Sequence, residues 1–202
     1  GIIFFSSKIG VSGTPEMANQ ILANEFLFRT GIFNRLLCSI PWLFLAVTLY
    51  RLLKNVNYLQ AKLMFAWLTL PLCLQFIAEA FNITTLSIAR GELIQTYDLV
   101  HRQTISILLL HIYNNIVSLS EIFWGLWLLP FGLLIYRSHF IPKIFGVLVI
   151  IGGACYLIDF SAFILFPIYK NATTYLIFLG SLCEISMMLW LIIKGVKKQF
   201  NT

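Results

Sequence analysis

Residues 104–136 read TISILLLHIYNNIVSLSEIFWGLWLLPFGLLIY. The run is too apolar for a helix of a soluble domain, and it exceeds the roughly 20 residues that carry a helix across a bilayer core of roughly 30 Å. Inside it stand His111, Asn114, Asn115, Ser118 and Glu121, at a spacing that puts them on one helical face. Lipid offers such groups no hydrogen-bond partner, so a polar stripe on a membrane helix must turn towards protein or trapped water. This one stretch therefore predicts an all-α bundle in which other helices carry polar groups at a similar depth.

Composition agrees. Hydrophobic residues make up 59% of the chain and charged residues 11%, with a mean hydropathy of +0.88. Soluble domains are about 45–50% apolar and about 25% charged, so a soluble fold would have nowhere to place this surface. The 18 Phe and 5 Trp suit a lipid-facing protein with interfacial aromatics. The net charge is +6, but the basic residues stand singly or in short groups at the ends of apolar runs. That placement marks membrane topology and argues against a nucleic-acid partner. Cys38, Cys73, Cys155 and Cys183 each fall inside an apolar run and form no CxxC pair, which is the usage of small buried hydrophobes.

Working outward from the quoted run, apolar stretches place five spans at about 30–53, 62–90, 104–136, 143–166 and 174–194 within a transmembrane bundle covering 30–202. Residues 1–29 form an extracytoplasmic connector. Gly10 to Pro15 breaks any helix, and a short amphipathic helix starts at Thr14 as N-cap with Pro15 and Glu16 in its first turn. Its apolar positions Met17, Ile21, Leu22 and Phe26 are expected on the membrane surface. Pro41, Gly125 and Pro130 are candidate bends, and Pro71 is expected to loosen the backbone near Gln75.

The Lys/Arg distribution orients the spans. Arg51, Lys54, Lys62, Arg137, Lys143, Lys194, Lys197 and Lys198 fall on one side, against Lys8, Arg29, Arg90, Arg102 and Lys170 on the other. The richer side is cytoplasmic, so the C-terminus is inside. The segment before the first span is then outside, which calls for one more helix ahead of residue 1 and six spans in a complete chain.

This orientation puts Arg35, Glu79, Asn82, His111, Asn115 and Asp159 in the outer half of the bilayer, with Glu184 and Glu121 nearer the middle. A charge at mid-bilayer costs about 2.5–3.5 kcal/mol on insertion scales, so these carboxylates need pairing, protonation, a cation or water. Arg35 can neutralise one of them. Gln75, Glu79 and Asn82 share a face by their spacing of four and three. The cluster admits three readings. It is interhelical packing, it is a binding cavity for a small polar solute or proton, or it is a metal-assisted intramembrane hydrolase holding a divalent ion through His111, Glu79 and Asp159. The third is weakened by having one histidine at the right depth and no HExxH. There is no GxSxG, and Ser118 stands about two turns from His111. The reading adopted is a non-enzymatic membrane protein with a polar cavity and no cofactor. Its partners are the lipid bilayer and either further copies of itself or other membrane subunits.

Tyr136-Arg-Ser-His-Phe-Ile-Pro142, followed by Gly146, Gly152 and Tyr156-Leu-Ile-Asp159, carries a family resemblance. Leu27-Phe-Arg-Thr-Gly-Ile32, Leu49-Tyr-Arg-Leu-Leu-Lys-Asn-Val-Asn57, and Glu184 with Leu189-Trp-Leu-Ile-Ile-Lys-Gly195 fit the same pattern. Together they resemble the prokaryotic membrane proteins grouped as domain of unknown function 4386, over about residues 15–195. The resemblance implies a helical inner-membrane protein of six or seven spans and implies no particular activity. Read by itself, the YRSxxxP run is a membrane-surface turn with Arg137 as a positive-inside anchor and Pro142 at the first position of the next helix.

Overall fold

A computed structural model describes residues 21–93, 95–166, 168 and 170–195. Five long helices account for nearly all of them. They are α1 (Glu25–Leu53), α2 (Tyr58–Ala89), α3 (Leu99–Arg137), α4 (Lys143–Leu165) and α5 (Lys170–Lys194). All five are long and apolar enough to cross a membrane, and the chain is a multi-pass helical membrane protein. Every helix but α4 begins before its expected bound. The helix expected from Thr14 falls mostly outside the described residues.

Helix ends follow local chemistry. Asn57 caps α2, its side-chain oxygen accepting from the Gln60 N–H at 3.0 Å. At the other end Gly91 takes a left-handed backbone (φ 77), with Gly91 N–H bonded to Ile88 C=O and Glu92 N–H to Ser87 C=O. These are the two bonds of a Schellman closure. A Cβ at Gly91 would meet only the movable end of the Arg102 side chain, so it is the left-handed backbone that favours glycine there. Pro142 directly precedes α4 as its N-cap, one position earlier than expected. Pro41, Pro71 and Pro130 all lie inside uninterrupted helices.

Asp98 starts α3. Its carboxylate accepts from the His101 N–H at 2.9 Å and contacts His101 Nδ1. The backbone bond first, then the imidazole, favours the ionised form and holds this carboxyl below its ordinary range. The cap is therefore complete above the unfolded-state pKa and is lost as pH falls through the lowered folded value. Protection of the His101 amide, its exchange relative to the intrinsic rate at each pH, is expected to be high at neutral pH, to fall on acidification through that range, and to be low at every pH in Asp98→Ala. A His101 amide indifferent to both changes would contradict the capping role.

The chain divides into two compact units, Gly1–Trp42 with Leu72–Ser118, and Leu43–Pro71 with Leu119–Thr202. Helices α1, α2 and α3 each give one segment to each unit. In the first unit, Ile21, Phe28, Ile32, Leu86 and Leu110 form a core with Leu36 against it. Ile21 is thus buried and not on the membrane surface as expected, because it belongs to the same apolar face as Phe28 and Ile32. In the second unit, Trp127 stacks on Phe131 with ring centroids 5.3 Å apart, and Leu128, Leu134, Ile135, Val149 and Met187 are fully buried.

Large apolar side chains such as Phe44, Ile151, Phe178 and Ile192 remain exposed, as a lipid-facing surface requires. Many hydroxyls in the helices need no neighbour. Thr30, Thr48, Thr84, Thr85, Thr104, Ser161 and Ser181 each donate to the carbonyl four residues back.

Candidate polar site in the membrane

In the first unit α2 turns Gln75, Glu79 and Asn82 to one face, and α1 brings Arg35 against it. Arg35 Nε donates to Glu79 Oε1 at 2.5 Å and Arg35 Nη2 to Oε2 at 3.0 Å. Gln75 Nε2 donates to Oε1 at 2.6 Å and Asn82 Nδ2 to Oε2 at 2.9 Å. Glu79 is 1% exposed, and four donors occupy its two oxygens. The guanidinium meets this buried carboxylate in a fork-to-fork contact, the geometry of a strong ion pair. The Arg35 guanidinium also lies 5.7 Å from the Tyr113 ring centroid, within cation–π range. The Tyr113 side chain interacts with Arg35, Glu79, Asn82 and Gln75 together.

Tyr113 was not among the expected site residues. It lies on the face of α3 that carries buried Ser106 and Leu110. The available signal was an aromatic residue continuing that i, i+4, i+7 series, and the neighbouring polar stripe obscured it. Residues advance about 100° per position around a helix, so His111 and Asn115 lie about 200° from Tyr113. Both are exposed, as is Asn114, and neither takes part in the Arg35–Glu79 cluster. The expectation that His111 and Asn115 face that cluster is corrected, because the large ring chose the inward face of α3 and the polar stripe did not.

The second unit holds Asp159 and Glu184. Gly152 and Gly180 let α4 and α5 approach closely, since a Cβ on either would come within 3.2–3.3 Å of the other's carbonyl oxygen. Beside that contact the Tyr156 hydroxyl meets Ser181 Oγ at 3.0 Å and also interacts with Glu184. Asp159 follows Tyr156 by three residues on α4 and is 2% exposed. Its Oδ1 is buried and has no hydrogen-bond partner among the described residues. The two buried carboxylates are therefore opposites. Glu79 accepts from four donors, and Asp159 has a buried oxygen with no hydrogen-bond donor among the described residues.

The proposed metal set of His111, Glu79 and Asp159 is not assembled. Glu79 is committed to four donors, His111 is exposed, and no group of three His, Cys, Asp or Glu side chains among the described residues could hold a metal ion.

Five membrane-length helices, with a buried Arg–Glu pair between α1 and α2 in the first unit, define a multi-pass helical membrane protein. The chain belongs to the family described as Domain of unknown function (DUF4386), whose pattern matches residues 1–195. It is also similar to a protein from Archaeoglobus fulgidus that bears the name "Uncharacterized protein", at 34% identity over 85 residues. That match covers 42% of this chain and 49% of the relative, so the chain spans about half the length of the curated relative it matches. No solved structure matches the chain.

Proposed function

We propose that this is a non-enzymatic protein of the cytoplasmic membrane, with its C-terminus inside, that binds a small monovalent cation at Asp159. The observation that carries the reading is the buried Asp159 Oδ1 without a partner among the described residues. Leaving a carboxylate oxygen unsatisfied in a low-dielectric interior is costly. A ligand that brings a positive charge removes that cost, so its chemistry is set by the oxygen it meets. Buried Cys155, Tyr156 and Ala162 flank Asp159 along α4 and offer a mostly apolar wall suited to a small guest. The Arg35–Glu79 cluster, whose carboxylate already accepts from four donors, serves as the anchor of the first unit and has no part in binding. The orientation rests on the excess of Lys and Arg at one set of helix ends.

The test is thermal unfolding of the full-length protein in lipid nanodiscs, with sodium, potassium or ammonium chloride against choline chloride at constant ionic strength. At least one of the three small cations is expected to stabilise saturably. At ten times its dissociation constant the gain is about 1.4 kcal/mol. Asp159→Asn is expected to fold and to lose that response. No response from any of the three, or an unchanged response in Asp159→Asn, would overturn the proposal.

A further inference from the structure

Charges at the helix ends are handled differently in the two units. In the first unit Arg29 pairs with Glu25 at 2.7 Å, and Arg90 pairs with Glu92 at 3.0 Å and with Glu25 at 3.4 Å. In the second unit Arg51, Lys54, Lys62, Arg137, Lys143 and Lys194 are exposed, and none of them is ion-paired among the described residues. No carboxylate is at hand, since the sequence has no Asp or Glu over residues 43–71, 122–158 or 185–202. Topology does not demand that absence. Lys and Arg set the orientation of a membrane chain, and Asp and Glu contribute little to it. Acids could stand among these bases at no topological cost, as they do at the helix ends of the first unit.

The cations are also gathered around tyrosines. Lys62 Nζ lies 4.3 Å from the Tyr58 ring centroid, and Lys54, in the turn between α1 and α2, interacts electrostatically with the same tyrosine. Lys143 Nζ lies 5.2 Å from the ring centroid of Tyr136, the residue before Arg137. The turn between α3 and α4 is kept tight by a left-handed His139 (φ 57) and by Ser138 Oγ, which donates to the Ile135 carbonyl at 2.8 Å. Each turn therefore presents two cations beside one exposed tyrosine. Like charges so placed repel, and an anion between them removes that cost.

We infer that these two turns bind the headgroup phosphates of anionic phospholipids. Both turns stand where membrane-length helices end, which is the headgroup layer of a bilayer. Tyrosine suits that layer, with an apolar ring and a polar tip. A phosphate offers acceptor oxygens to ammonium and guanidinium donors, and clustered Lys and Arg beside a membrane helix attract anionic lipid. A zwitterionic lipid carries the same phosphate together with its own cationic nitrogen, which a pair of cations repels. Selectivity for the anionic lipid follows from charge alone. The inference does not rest on Asp159 or on which side of the membrane the turns face.

The test titrates the full-length protein in detergent micelles with phosphatidylglycerol or with phosphatidylcholine of the same acyl chains. Lipid-bound species are counted by native mass spectrometry. Phosphatidylglycerol is expected to bind at least tenfold more tightly. Lys62→Gln with Lys143→Gln is expected to lower its affinity by about fivefold for each charge removed, with the melting profile unchanged. Lys62→Arg with Lys143→Arg is expected to retain it, as is Arg29→Gln, which removes a cation of the first unit. Soluble glycerol 3-phosphate at ten times the lipid concentration is expected to displace no phosphatidylglycerol. Equal affinity for the two lipids, a preference unchanged in the double glutamine variant, or an equal loss in Arg29→Gln overturns the inference. Displacement by glycerol 3-phosphate would overturn it in favour of a soluble anion.

Discussion

Glu79→Ala is expected to cost about 3–5 kcal/mol of stability, the range for removing one partner of a buried ion pair. The physical cause is what remains behind. Arg35 keeps its charge with only 15% of its side chain exposed, and Gln75 and Asn82 lose the acceptor to which they donate. Arg35→Leu is expected to be as damaging, because it leaves the Glu79 carboxylate with two amide donors and no counter-charge. The joint variant Arg35→Leu with Glu79→Leu is expected to recover most of the loss, since both charges leave together and the site becomes an ordinary apolar contact. Reversible unfolding in mixed micelles measures all three. Single losses that simply add in the double variant would mean that the two side chains act independently, which their geometry does not allow.

Gly132→Leu is the second large effect. Where α3 and α4 cross, a Cβ at Gly132 would stand 2.6 Å from the Gly146 carbonyl oxygen, and a Cβ at Gly146 would stand 2.8 Å from the Gly132 carbonyl oxygen. The obstruction is backbone on both sides and cannot rotate away. A leucine there must push the two helices apart and break the packing around Leu128, Phe131 and Ile135. Overpacking costs about 1–3 kcal/mol in a core that can adjust, and this site is expected at or beyond the upper end because nothing flexible can yield. The comparison is Gly152→Ala on α4, where the contacts are 3.3 Å to Cys183 Cβ and Gly180 O. A shift of a few tenths of an ångström accommodates that methyl, so its cost is expected to be clearly smaller. Equal losses at the two positions would remove the close-contact explanation.

These two sites differ in how far the sequence disclosed them. The spacing of Gln75, Glu79 and Asn82 placed three partners on one face of α2 before any coordinates, and the need to neutralise a carboxylate pointed to Arg35. Hydropathy alone fixed the number of long apolar helices. On α4, Gly146, Gly152 and Gly153 are buried where helices approach closely. Gly125 reads as a bend in isolation, yet it is a contact point, with Gly153 O 2.9 Å from where its Cβ would be. The rotation of α3 could not be read. A helix that is apolar nearly all round has no strong preference for one inward face, so shape decides, and Tyr113 fits against Arg35 where His111 does not. The inward packing of Ile21 was hidden for a related reason, since a few apolar residues next to a membrane suit either the bilayer surface or a protein core.

The Arg35–Glu79 pair also constrains how the chain enters the bilayer. Each of α1 and α2 alone carries a charge whose insertion costs about 2.5–3.5 kcal/mol near the centre of a membrane helix. Only Lys54 to Asn57 separate the two helices, and Tyr50 already meets Phe65 across that turn at 5.7 Å between ring centroids. The two helices are therefore best delivered to lipid as one hairpin, with each charge partnered before either leaves the translocation machinery. On this view the ion pair is a condition of biogenesis as well as of the finished fold.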